Sequence, residues 1–120
     1  MARRRIDPAD GTLAVAAWRR DDEPPRSTIA TAVRFTLEEL AERALGNSVE
    51  VRVPPLGVTQ CIEGPRHTRG TPPNVVETDA RTWLELATGR LSWADAVADR
   101  RVAASGTRTD LSGVLPLLGA

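Results

Sequence analysis

The stretch that decides the fold is residues 74–118, which read NVVETDARTWLELATGRLSWADAVADRRVAASGTRTDLSGVLPLL. A short apolar strand at Val75-Val76 leads to Asp79, whose side chain can cap a helix. A second short helix is predicted to begin after Ser92, followed by a strand over 101–105 and an apolar tail. This alternation of strands and short helices favours an α+β domain over a helical bundle.

Two helices are predicted upstream of this stretch. Asp7 can cap the first one, and Pro8 suits its first helical position because the missing N–H is not needed there. The second is expected to begin near Ser27 and to end at Gly46 with a left-handed cap. Its apolar residues hold one helical face at spacings of four, four, three and four: Ile29, Val33, Leu37, Leu40 and Ala44.

A hairpin follows the second helix. Val49, Val51 and Val53 alternate with charged residues, the pattern of a strand with one buried face. A Pro-Pro-Leu-Gly turn precedes a return strand over 58–63. We therefore predict a mainly antiparallel sheet of four or five strands, with short helices packed on one face and the two N-terminal helices beside it.

Composition restricts the class of protein. The chain has 120 residues, enough for a single domain, of which 41% are hydrophobic and 27% charged. The formal net charge is zero, which does not favour binding to nucleic acid, and no apolar run approaches the ~20 residues that span a bilayer. A cytoplasmic domain over residues 1–120 is expected, with residues 1–6 disordered.

Residue types that carry common chemistry are scarce. All sixteen basic residues are Arg, so neither a Schiff-base lysine nor a phosphate-loop lysine is possible. Cys61 is the single cysteine and is expected to be a buried small side chain. His67 is the single histidine, and no metal-ligand spacing or paired carboxylates accompany it. We expect no enzyme activity, no metal and no cofactor.

The 74–118 stretch resembles the sterol carrier protein family, in particular its small stand-alone bacterial domains. The resemblance covers roughly 46–118 and is most specific at the acidic cap Asp79, the helix 83–87, Thr88-Gly89-Arg90-Leu91 and the strand that ends at Gly106. It implies an α+β domain that binds a lipid or another apolar small molecule between sheet and helices, without catalysis.

The resemblance also implies which side chains would line the ligand tunnel. They lie on the hairpin, on the two short helices and in the apolar tail: Val58, Ile62, Trp83, Leu86, Val97, Leu111, Val114, Leu115 and Leu118. The other interpretation is that these residues simply fill the core. Residues 111–118 form a short tail with Gly113 and Pro116, poor helix formers.

The long loop over 64–73 is the best polar candidate site. Arg66 and Arg69 flank His67, and guanidinium groups form paired bonds to carboxylates and phosphates. These three residues are predicted to clamp an anionic head group at the mouth of the apolar site, and a solvated loop is the alternative.

Two functions therefore compete at the level of sequence. The first is a carrier-like domain with an apolar ligand. The second is a protein-interaction or dimerisation module with a filled core and no ligand. A possible homodimer fits Trp18 and Trp93, whose rings can pack in an interface as well as in a core.

Overall fold

The computed structural model describes residues 4–64 and 74–119. An N-terminal pair of helices is followed by a hairpin. The second half of the chain then places two short helices between two strands. The elements are α1 (Pro8–Arg20), α2 (Arg26–Arg43), β1 (Val49–Val53), β2 (Gly57–Cys61), β3 (Val75–Thr78), α3 (Ala80–Ala87), α4 (Trp93–Ala98) and β4 (Val102–Ser105).

The strands form one four-stranded sheet in the order β2-β1-β3-β4. β1 pairs with β2 and β3 pairs with β4 in antiparallel fashion, whereas β1 and β3 run parallel. The α+β class is confirmed, and the sheet is mixed, with one parallel pairing in its middle beside two antiparallel ones. The strand pattern did not reveal this, because β3 enters the sheet on the side of β1 opposite its sequence neighbour β2.

One face of the sheet carries the core. Val49, Val51 and Val53 are fully buried, while Glu50 and Arg52 between them lie on the opposite face and are partly exposed. The predicted stripe of α2 packs against this core, with its middle buried and its two ends half-buried. Burial of a shared apolar face thus joins the N-terminal helices to the hairpin.

Side-chain caps begin three of the four helices. Asp7 accepts from the N–H of Ala9, Asp79 from that of Thr82, and Ser92 from that of Asp95, as predicted. The predicted cap at Ser27 is wrong, because α2 begins one residue earlier, after Pro25, which has no side-chain acceptor. There the fixed φ of proline provides a helix start without a hydrogen bond.

Gly46 is not the helix cap that the sequence suggested. The helix ends at Arg43, with Ala44 as its C-cap. Gly46 has a φ of 144°, and a Cβ at this position would overlap the carbonyl group of Ile62. Glycine is needed here because the backbone before β1 passes close to the end of β2.

The apolar tail is irregular and forms no helix. Leu111 and Leu117 are buried, and the N–H groups of Leu117 and Leu118 both donate to the carbonyl of Ala87, at 2.9 and 3.0 Å. The absence of a helix over 111–118 agrees with the poor helix formers Gly113 and Pro116 in this segment. The tail is held by packing and by the free carbonyl at the end of α3.

The segment before α1 lies along α2. The N–H groups of Arg5 and Ile6 donate to the carboxylate of Glu38, at 2.8 and 3.1 Å, and Arg4 forms ion pairs with Glu39 and Glu42. Residues 4–6, expected to be disordered, are thus in contact with the domain. Within the described residues, no helix combines the length and apolarity that crossing a membrane requires.

Candidate functional site

The space between sheet and helices is filled around three of the residues predicted to line a tunnel. Trp83, Leu86 and Leu111, three of the predicted tunnel residues, are at most 1% exposed. A side chain this inaccessible borders no water-sized void. In this structure the three residues pack as core, and a ligand that touched them would have to displace neighbouring side chains.

The other predicted apolar contacts divide into two groups. Ile62, Val114, Leu115 and Leu118 are half-buried and pack against the core from its margin. Val97 lies on α4 and is 48% exposed.

Val58 is the other exposed residue of the predicted set. It is 58% exposed and pairs with Arg52 on the sheet face away from the helices. In this structure Val58 therefore faces away from the helices, and neither Val58 nor Val97 is enclosed between sheet and helices. For Val58 the reason is register, since a shift of one residue moves a side chain to the other face. The predicted anion clamp of Arg66, His67 and Arg69 lies outside the described residues.

A groove runs between α2 and the edge strand β2. It has a volume of about 430 Å³, within the range of about 300–1,000 Å³ common for ligand sites. Its aliphatic lining comes from the N-terminal segment, from α2 and from the hairpin: Ile6, Leu37, Leu56 and Val58. Val58 borders this groove because it lies on an edge strand.

Gly57 keeps the groove wide next to Leu37. A Cβ at residue 57 would lie 3.0 Å from Cδ1 of Leu37, closer than ordinary van der Waals contact. A side chain at residue 57 would therefore require the end of the Leu37 side chain to move by a few tenths of an ångström. The groove wall is built from backbone on this side, and a small change of side chain would alter its width.

The charged side chains around the groove differ in the hydrogen bonds that they already make. The Glu38 carboxylate already accepts two backbone N–H bonds, from Arg5 and Ile6. Arg34 lines the groove and donates through Nε to the carbonyl of Leu56 at 2.9 Å. Arg5 supplies a second guanidinium group at the rim. The groove thus has an aliphatic floor, and its lining contains two arginines and one glutamate, so positively charged hydrogen-bond donors predominate.

Sequence reasoning did not find this groove. Ile6 was assigned to a disordered segment, Leu37 to the core, and Leu56 to a turn. No local pattern connects residues so far apart along the chain. The only available signal was the amphipathic character of α2, which continues to an exposed Arg34 beside buried Leu37.

Cys61 is a buried side chain, as predicted. It is fully buried at the end of β2, and burial raises the pKa of its thiol from the ordinary 9.0 to about 11. The neutral thiol is therefore the form present near neutral pH, and a nucleophilic thiolate is disfavoured. Over 4–64 and 74–119, no three His, Cys, Asp or Glu side chains are grouped so that they could hold a metal ion.

Comparison with known families agrees with the fold and with the resemblance of the second half. The family model described as "Bacterial SCP ortholog" matches residues 25–117. The chain therefore belongs to this bacterial sterol carrier-like family. The match begins before α2 and includes the α2 and hairpin walls of the groove, whereas α1 and the segment before it lie outside. No curated protein matches the sequence.

Proposed function

We propose that this chain is a non-catalytic, carrier-like domain that binds an apolar small molecule with an anionic group. Its binding site is the groove between α2 and β2. Membership of a sterol carrier-like family supports an apolar ligand in general terms. The observation that carries the proposal is the groove itself, with aliphatic side chains on its floor and two guanidinium groups on its rim.

Each end of the ligand has a matching surface. Leu37 is buried in the floor, and half-buried Leu56 and exposed Val58 offer apolar area that a hydrocarbon chain can cover. The terminal N–H groups of Arg34 can donate to a carboxylate or phosphate in a paired arrangement. Because Glu38 is already engaged by backbone donors, it competes little for these guanidinium groups.

A second function is favoured by a different observation. Trp83, Leu86 and Leu111 are packed without open space, and Leu13 and Leu45 are large apolar side chains on the surface. These features fit an interaction module that dimerises through its surface and binds no ligand. We favour the carrier-like function over the interaction module because of the groove. A filled core does not prevent a ligand from binding in a groove on the surface.

The decisive experiment compares the same substitution at two exposed valines. Val58 borders the groove, whereas Val97 lies on α4, beside the opposite end of the sheet. Displacement of a fluorescent fatty acid by dodecanoate should weaken about tenfold in Val58→Asp, since a carboxylate at the groove removes apolar contact area and repels an acidic ligand. Val97→Asp should bind like the wild type. Equal binding in all three proteins would exclude the groove.

Charge specificity is tested separately. Arg34→Gln should reduce binding of dodecanoate by about tenfold or more, yet leave dodecanol nearly unchanged. Arg26→Gln is the matched control, because Arg26 is exposed at the start of the same helix and does not line the groove. An equal loss for acid and alcohol would mean damage to the groove and not loss of an ionic contact.

The competing function has its own measurements. Mass spectrometry of a solvent extract of the purified protein should reveal a co-purifying acyl or isoprenoid compound if the chain is a carrier. Light scattering over a range of concentrations should then show one species. A concentration-dependent dimer without any extracted compound, and without displacement of the fluorescent fatty acid, would favour the interaction module.

A further inference from the structure

A second cleft lies on another side of the domain, where the end of α1 meets the start of α3. Its volume is about 540 Å³. The apolar part of its wall consists of Trp18, Pro24, Ile29 and Ala80. None of its lining residues contributes to the α2–β2 groove, so a ligand here is independent of the function proposed above.

A cation already occupies the aromatic part of this cleft. The guanidinium carbon of Arg90 lies 4.9 Å from the centroid of the Trp18 ring, and Arg90 donates to the carbonyl of Arg19 at 3.1 Å. Trp18 is only 8% exposed although it lines a cleft. The position over the ring therefore accepts a planar cation, in the geometry of a cation–π contact.

Four acidic residues line the same cleft. Asp21, Asp22, Asp79 and Glu85 border the cleft, against two guanidinium groups other than that of Arg90. One of these, Arg81, is 82% exposed and contacts Glu85 at 3.5 Å. If Arg90 left the ring, four carboxylates would remain, opposed by Arg19 and Arg81 in the cleft and by Arg101, which forms an ion pair with Glu85 from outside it; the formal charge would be −1. The field then attracts a replacement cation.

We propose that the Trp18 cleft is a binding site for a small organic cation of the alkylguanidinium class. The ligand's planar cation takes the place of the Arg90 guanidinium over Trp18, and its alkyl chain lies on the apolar wall. Arg90 is thus a built-in competitor that keeps the affinity of the wild type low. An aromatic ring with carboxylates nearby recognises charge and planarity together.

The test uses two ligands of the same shape and two matched variants. Butylguanidinium and butylurea carry the same alkyl chain on planar head groups that differ in charge. Arg90→Ala and Arg81→Ala each remove one positive charge from the cleft, but only the first uncovers the Trp18 ring. Titration calorimetry should show that Arg90→Ala binds butylguanidinium about tenfold more tightly than Arg81→Ala does. Butylurea should bind to neither protein, and circular dichroism should confirm that both are folded.

A second readout locates the ligand. The indole N–H resonance of Trp18, assigned by its loss in Trp18→Phe, should shift on addition of butylguanidinium to Arg90→Ala, and the resonances of Trp83 and Trp93 should not. Three results would overturn the proposal: no binding to Arg90→Ala up to about 10 mM ligand, equal affinity in the two variants, or equal binding of butylurea. Tighter binding of butyrate by the wild type than by Arg90→Ala would likewise overturn it, in favour of an anion site.

Discussion

The most informative single contact joins Trp83 to Thr36. Both residues are buried, and the indole Nε1–H donates to the Thr36 hydroxyl at 2.8 Å. The hydroxyl in turn donates to the carbonyl of Ala32 at 2.8 Å. A buried tryptophan needs such an acceptor, and this one fixes α3 against α2 in the middle of the core.

Removal of that acceptor should be costly. Thr36→Val keeps the shape of the side chain but leaves the indole N–H of Trp83 buried without a partner. We expect the free energy of unfolding, measured in urea, to fall by about 1–3 kcal/mol. Thr12→Val is the control, because Thr12 makes the same hydroxyl bond to the carbonyl four residues earlier but is exposed. A similar loss for both variants would contradict the argument.

At the scale of elements, the crossing of α1 and α2 depends on one glycine. A Cβ at Gly11 would overlap the ring of Phe35, so the two helices approach more closely than side chains allow. Helix propensity alone favours alanine over glycine by about 1 kcal/mol. Here the contact should reverse the sign.

Gly11→Ala should therefore lower the free energy of unfolding by about 1–3 kcal/mol, measured by urea denaturation. The matched experiment is a double-mutant cycle with Phe35→Leu, whose smaller side chain leaves room for the new methyl group. The double variant should lose less than the sum of the two single losses. Additive losses, or a stabilised Gly11→Ala, would show that the helices adjust without strain.

Helix α2 provides a second test of packing. Leu40 is fully buried in the stripe that faces the sheet, whereas Leu45, just past the end of the helix, is 62% exposed. Leu40→Ala should cost about 2–5 kcal/mol of unfolding free energy in urea. Leu45→Ala should change it by less than about 0.5 kcal/mol. If the two losses were alike, the register of α2 against the core would be mistaken.

At the scale of the whole molecule, the free energy of unfolding at alkaline pH should depend on the ionisation of one side chain. The chain has no Lys and no Tyr, so Cys61 is its only side chain with a pKa in the range of about 9–11. Burial raises the pKa of the Cys61 thiol in the folded state to about 11. The contribution of the buried neutral thiol to the free energy of unfolding is therefore fully present below about pH 9. That contribution is lost as the pH rises through the folded-state value.

The free energy of unfolding should therefore fall by about 2–3 kcal/mol between about pH 9 and pH 11. Urea denaturation at several pH values measures this slope. Cys61→Ala should abolish the slope, although it is less stable at every pH because it removes a buried side chain. A slope that persists in Cys61→Ala would mean that the loss of stability has another cause.

Local sequence was sufficient for the elements themselves. The caps at Asp7, Asp79 and Ser92 were predictable because a side-chain oxygen next to a free backbone N–H is a short-range interaction. The buried face of β1 followed from alternation at a period of two residues. The class of fold and the resemblance to sterol carrier-like domains were carried by the same local signals.

Tertiary structure alone decided how these elements meet. Asn74 lies next to the parallel pairing of β1 with β3. Its side chain donates to the carbonyl of Ser48 and accepts a hydrogen bond from the N–H of Arg108, so it joins three distant segments of the chain. The α2–β2 groove depends likewise on residues from three parts of the chain. Sequence patterns report which face of an element is apolar, because that depends on its own period. They do not report which face it is buried against, because that depends on the packing of the entire core.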